Sequence, residues 1–212
     1  MYKFFITVSL LLHSNNIWGQ MASFFEGEII YDFHRRDKSQ KLSEVASDNY
    51  FGTELSYTIK NNCYRAENNG KLKLVQIYKG SDTLYSAIAG INVQLYDIST
   101  IPSDSVISYK ISETSDTIAG YPCKTLEITT KKCFLQYWFN DQIRINPDAF
   151  KRHEIGFWRI QLELTNGAFP LKSTAESPEG RMEMTAKSIV SKKIEDDIFT
   201  LEKGLPLIPT PK

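Results

Sequence analysis

The sequence predicts a mainly β protein, an antiparallel meander of about eleven strands curled into an open half-barrel with one or two short helices. Three observations predict it. Apolar and polar residues alternate through most of the chain, the period of a strand covered on one face. Short clusters such as Asn69-Gly70, Gly80-Ser81-Asp82 and Ser177-Pro178-Glu179-Gly180 separate these runs, and tight turns make neighbouring strands pair antiparallel. Helix signals are few, and a long meander tends to curl.

The elements follow in order. MYKFFITVSLLLHSNNIWGQ carries Lys3, an apolar run from Phe4 to Leu12 and a small residue, Gly19, at cleavage distance. That is the layout of a secretory signal peptide over residues 1–19, and the run is shorter than the roughly 20 residues of a spanning helix. The expectation is an exported chain, periplasmic or secreted, that starts at Gln20 or Met21, forms a single domain over 20–212 and keeps no transmembrane segment after processing. No cysteine lies near the cleavage position, so a lipid anchor through cysteine is not expected.

FEGEIIYDF places Phe25, Ile29, Tyr31 and Phe33 on one face, and LSYTI repeats the pattern with Leu55, Tyr57 and Ile59. Asn69-Gly70 turns the chain into KLKLVQIY, Gly80-Ser81-Asp82 into TLYSAI, and Gly90 into VQLYDI. SVISYKI runs from Ser105 to Ile111, where SETSD is a turn signal. TIAGYPCKTLEITTKKCFLQYWF, from Thr117 to Phe139, then holds two strands around Thr130 to Lys132. The clearest alternation comes later: Trp158, Ile160, Leu162 and Leu164 interleave with Arg159, Gln161 and Glu163 and predict a strand. Asn166-Gly167 reads as the next hairpin turn, Ser177 to Gly180 as the one after, and the final strand runs from about Arg181 toward Lys193. Residues 37–50 suit a helix or a loop. Asn146 as a cap with Pro147 in the first helical position opens a short helix through Phe150 and His153. The Pro-rich tail, LPLIPTPK, reads as irregular.

Composition bounds the chemistry. The chain balances 25 basic against 25 acidic residues, which argues against non-specific nucleic-acid binding. No G-x-S-x-G, H-E-x-x-H or phosphate-loop motif is present. Beyond His13, in the predicted signal peptide, the histidines are His34, in a turn-like HRRDK stretch, and His153. Asp148 and His153 are five residues apart, poor spacing for one helical face, and zinc normally takes three or four protein ligands. Neither a metal nor another cofactor is expected, and no catalytic residue is assigned.

Cys63, Cys123 and Cys133 are an odd number, so at most one intramolecular disulfide can form. A two-residue turn at Lys131-Lys132 sets Thr130 opposite Cys133 and Cys123 opposite Asn140. The seven-residue offset between the two cysteines is roughly 23 Å at about 3.3 Å per residue, beyond the reach of a disulfide. Cys63 reaches either only if its strand neighbours that hairpin, which the meander order does not favour. Small, packed, reduced side chains are expected. In FLQYWF, Phe134 and Trp138 lie on one face and Leu135, Tyr137 and Phe139 on the other. Two apolar faces need cover on both sides, from an ordinary core with a covering helix or from a curved sheet whose concave face holds a greasy cavity.

The order FEGEIIYDF, DTIAGYPCKTLEIT, QYWFNDQIRINP, NGAFPLKS and TAKSIVSKKIEDDIF resembles secreted proteins of Bacteroidetes, the GLPGLI-type proteins and a neighbouring family of unknown function. Both are similar in layout to the lipoprotein carriers LolA and LolB. Where the GLPGLI stretch belongs, this chain has Gly156 to Glu163, of which only the glycine and the apolar-Glu ending fit, so the neighbouring family is the nearer likeness. The resemblance implies a half-barrel of about eleven strands; in the carriers its concavity takes up acyl chains beneath a helical lid, for which only residues 37–50 and 146–155 are candidates here. No carrier residue transfers position by position.

The functional expectation is a non-enzymatic cell-envelope protein that binds an apolar ligand or a lipidated partner, such as a lipoprotein acyl chain. Ile29, Tyr31, Phe33, Trp158, Ile160, Leu162 and Leu164 are the candidate lining. The alternative is an interaction module without a cavity, presenting a sheet face or edge to an envelope protein. An enzyme is the more distant option.

Overall fold

The computed structural model describes residues 24–38, 43–88, 92–98, 104–201 and 204–209. The expected signal peptide and the Gly90 turn lie outside them. The N-terminal half runs β1 (Gly27–Asp37), α1 (Glu44–Phe51), β2 (Glu54–Lys60), β3 (Cys63–Asn68), β4 (Val75–Tyr78), β5 (Thr83–Ile88) and β6 (Asn92–Asp97). The C-terminal half runs β7 (Val106–Ile118), β8 (Tyr121–Thr130), β9 (Phe134–Arg144), α2 (Trp158–Leu164), β10 (Ala168–Glu176), β11 (Gly180–Ser191) and β12 (Leu207–Pro209). Single 3-10 turns at Pro147–Phe150 and Ile155–Phe157 precede α2, and a third lies at Asp196–Phe199.

All twelve strands among the described residues form one open sheet, in the order β12-β6-β5-β4-β3-β2-β1-β11-β10-β9-β8-β7. Two meanders, β1 to β6 and β7 to β11, are joined where the first long strand pairs antiparallel with the last, Gly27 opposite Ser191 through Asp37 opposite Gly180. The sheet curls strongly enough for β7 to touch β11, although β8, β9 and β10 lie between them. This is the predicted architecture: mainly β, open, with two short helices.

Local turn chemistry explains the pairings. Thr130 donates its amide to the Cys133 carbonyl at 2.9 Å, and Thr129 faces Phe134. The Lys131-Lys132 turn is therefore in the predicted register, with Lys124 opposite Phe139 and Cys123 one step beyond. All three cysteines are free. Asn61, at φ 53°, makes a tight turn that sets Lys60 opposite Cys63 and inserts β3, a strand absent from the sequence reading.

Several sequence expectations are corrected. SETSD is not a turn. β7 continues through it with a register irregularity between Glu113 and Thr117, and the chain reverses at Ala119-Gly120, where φ is 49° and 86°. The tail is not wholly irregular, because Leu207–Pro209 pairs parallel with β6, the one parallel pairing among the described strands. FLQYWF is covered fully on one side only: Leu135, Tyr137 and Phe139 are buried, while on the other face Phe134 is exposed and Trp138 is half-buried against the larger core.

The largest correction is at Trp158–Leu164, a helix rather than a strand. An alternation of period two over seven residues is also a pair of helical stripes, because residues four apart share a helix face. Trp158 and Leu162 pack with Ile29, Tyr31 and Tyr64 in the larger core, while Ile160 and Leu164 pack with Leu126, Ile128 and Leu135 in a second one. The helix is thus a wedge between two cores. Of its polar residues, Arg159 and Glu163 pair across one turn at 3.3 Å, and buried Gln161 donates to the Ala168 carbonyl at 2.8 Å. Asn166-Gly167 ends this helix instead of joining two strands. The Gly167 amide bonds back to the Leu162 carbonyl at 2.7 Å, and Asn166 and Gly167 are left-handed, at φ 53° and 84°.

Candidate functional site

The site follows from the register of the second half of the sheet. Arg35 faces Met182, Met182 faces Ala175, Ala175 faces Leu135, Leu135 faces Ile128, and Ile128 faces Tyr109. Residues directly opposite in antiparallel strands share a face. These six therefore form one row across β1, β11, β10, β9, β8 and β7. The first four floor a cleft of about 420 Å³ at the end of the sheet where β1, β9, β10 and β11 meet. Ser47 and Phe51 of α1 wall it on one side, Phe157 at the foot of α2 on another, and Cys133 and the β10–β11 turn close its rim.

α1 is fixed at this end by its own chemistry. Ser43 caps it, accepting the Ala46 amide at 3.2 Å. Ser47 and Phe51, four residues apart, face β1 together. Buried Ser47 donates its hydroxyl to the Arg35 carbonyl at 2.6 Å, and the Arg35 guanidinium lies 4.3 Å from the centre of the Phe51 ring. Two more arginines line the cleft. Arg36 pairs with Glu44 at 3.2 Å and Arg181 with Glu183 at 3.1 Å. Its acids are Asp37, Glu176 and Glu179. Lys38 lies 2.8 Å from Glu176 and holds that carboxyl below its usual range, and a hydrogen bond with Ser177 does the same for Glu179. Burial raises the Cys133 thiol, so it stays protonated at neutral pH and is a poor nucleophile.

None of the seven candidate lining residues is among those that line this cleft. Ile29, Tyr31, Trp158 and Leu162 are brought together, but in a packed core, with Ile29, Tyr31 and Leu162 fully buried. Ile160 and Leu164 lie in the second core. Phe33 comes nearest. It opens the adjacent row, Phe33, Met184, Ser173, Tyr137, Leu126 and Ile111, one layer deeper along the same strands. The cleft residues carried a sequence signal of their own, because Leu135 and Met182 continue the apolar alternation to the strand ends. Their convergence depends on the β1–β11 pairing, which the local pattern does not encode.

A second cluster lies under the segment that precedes α2. Tyr64 stacks on Trp158 with ring centres 4.5 Å apart, and Tyr78, Phe150 and His153 complete an aromatic box. His153 is fully buried, its Nε2 2.9 Å from the Tyr64 hydroxyl, and burial pulls its pKa down to about 4. Tyr78 donates to the Ala149 carbonyl at 2.7 Å, which ties the 147–150 turn to β4. No group of three or more metal-ligating side chains occurs among the described residues, and no helix among them is long and apolar enough to cross a membrane.

No protein-family model and no curated protein matches the chain. Among solved structures it is similar to PNGF-II, at TM-score 0.49 and 11% identity over 86% of this chain, which spans only 31% of that protein. It is also similar to LprF from Mycobacterium bovis, at TM-score 0.34 and 9% identity over 79% of this chain and 89% of that one. At these scores neither likeness bears on what this chain binds.

Proposed function

We propose that the protein is an exported, non-enzymatic binder of a single apolar chain, such as the acyl chain of a lipid or of a lipidated partner, held in the cleft at the end of β1, β9, β10 and β11. The observation that carries this is the floor of the cleft: Met182, Ala175 and Leu135 in one row, with Phe51 and Phe157 as walls. Its volume, about 420 Å³, lies toward the lower end of the range for small-molecule pockets, roughly 300–1,000 Å³, and suits one chain better than two. The floor runs without interruption into the second apolar core beneath α2. Alpha helices over an open sheet also fit the layout of the lipoprotein carriers that the sequence resembles.

Native mass spectrometry of the exported protein, followed by lipid extraction, tests this reading. Adducts of acyl-chain mass that are lost on extraction are expected, on a chain beginning at Gln20 or Met21. A protein that stays unliganded when offered single-chain amphiphiles would overturn it.

One observation favours the interaction module as a second reading. β7 is an edge strand with Ile107, Tyr109 and Ile111 exposed at 65%, 58% and 44%. Tyr109 and Ile111, opposite Ile128 and Leu126, continue the rows of the inner face beyond the cover of α2, Ile107 lies at the register irregularity beside them, and a long apolar edge is a template for another chain.

A further inference from the structure

We infer that the cleft selects an amphiphile with one negative charge at the end of its chain, a fatty-acid-like carboxylate, and that Arg35 is the residue that reads it. The inference rests on the chain-binding reading and adds the head group. Three arginines border the cleft, and they are not equivalent. Arg36 and Arg181 are each committed to a neighbouring carboxylate, Glu44 and Glu183. The Arg35 guanidinium has no carboxylate partner among the described residues; it is held over the Phe51 ring, and its backbone is pinned by Ser47.

Cation–π contact leaves the guanidinium N–H donors available for a carboxylate, which they match in a two-pronged geometry. The placement along the row gives the ligand a direction. Arg35 stands at one end, and Met182, Ala175 and Leu135 follow from it toward the second core. A chain whose head meets Arg35 would thus lie across the strands on apolar side chains. The rim acids set the charge. Of the acids at the rim, Glu176 is paired with Lys38, whereas Glu179 has no ion pair among the described residues, so a second negative charge on the ligand would meet like charge there, and a single one is matched by Arg35.

The test compares three ten-carbon ligands, decanoate, 1-decanol and decyltrimethylammonium, by calorimetric titration into the wild-type protein, Arg35→Gln and Arg35→Lys. Decanoate is expected to bind about tenfold tighter than decanol to the wild type, the size of one charge-assisted hydrogen-bonded contact. Arg35→Gln should abolish that preference, bringing decanoate down to the affinity of decanol, and Arg35→Lys should retain part of it. The cation should bind most weakly. Equal binding of decanoate and decanol by the wild type, or a preference that survives Arg35→Gln, would overturn the head-group assignment and leave the chain-binding reading intact. Absence of binding by all three ligands would overturn both. Arg35 is exposed at the strand end, so its variants are expected to fold, which their urea midpoints check.

Discussion

His153 shows how one side chain links packing to pH. In an unfolded chain an imidazole titrates near 6.5, whereas burial among Tyr64, Tyr78, Phe150 and Trp158 brings the folded value to about 4. Between these values only the unfolded chain takes up the proton. The contribution is therefore complete above about pH 6.5 and is lost as pH falls toward 4, amounting to about 3 kcal/mol. Urea unfolding of the wild type and of His153→Phe between pH 7.5 and 4 checks this. The variant should lose about 1–2 kcal/mol at neutral pH, because the Tyr64 hydroxyl loses its partner, yet fall less steeply on acidification. Parallel pH profiles would refute the burial argument. The cysteines offer a simpler check at the same scale. All three are free, so a thiol count in denaturant should give three, and a count of one would reveal a disulfide.

At the scale of elements, the seven residues Trp158–Leu164 explain where sequence reading works and where it stops. The hairpin around Lys131-Lys132 was legible to the residue because its register depends only on a two-residue turn and its flanks. The start of the Pro147 turn was equally legible, with Asn146 as its cap, accepting the Asp148 amide at 3.1 Å, but the helix expected through His153 is a single 3-10 turn that ends at Phe150. α2 was misread because its period-two pattern serves two cores on opposite sides, a property of its surroundings. The signal that separates the readings was the Arg159–Glu163 pair, four residues apart, followed by a glycine stop. That stop makes a prediction. Gly167 has φ 84°, and a Cβ there would meet the Ile145 carbonyl oxygen at 2.3 Å. Gly167→Ala should therefore lower the urea midpoint, with a loss of about 2 kcal/mol or more. A midpoint unchanged within error would mean that α2 does not end as described.

For the whole molecule, the strand meanders were written in local alternation, but the closure that makes the cleft was not. It needs β1 to find β11, more than a hundred residues away along the chain, and so to align Arg35, Met182 and Ala175. The most apolar rows, which hold the expected lining, form the cores. The cleft lies instead where the rows run out and charged residues begin, at the strand ends near α1. Its occupancy is the central claim, and photo-crosslinking locates it most directly. A saturated fatty acid carrying a diazirine in mid-chain, irradiated with the purified protein and mapped by peptide mass spectrometry, should label Leu135, Ala175, Met182, Phe51 or Phe157, and an excess of decanoate should suppress the label. Labelling confined to Ile107, Tyr109 and Ile111 on the β7 edge, or labelling that decanoate does not suppress, would contradict the account.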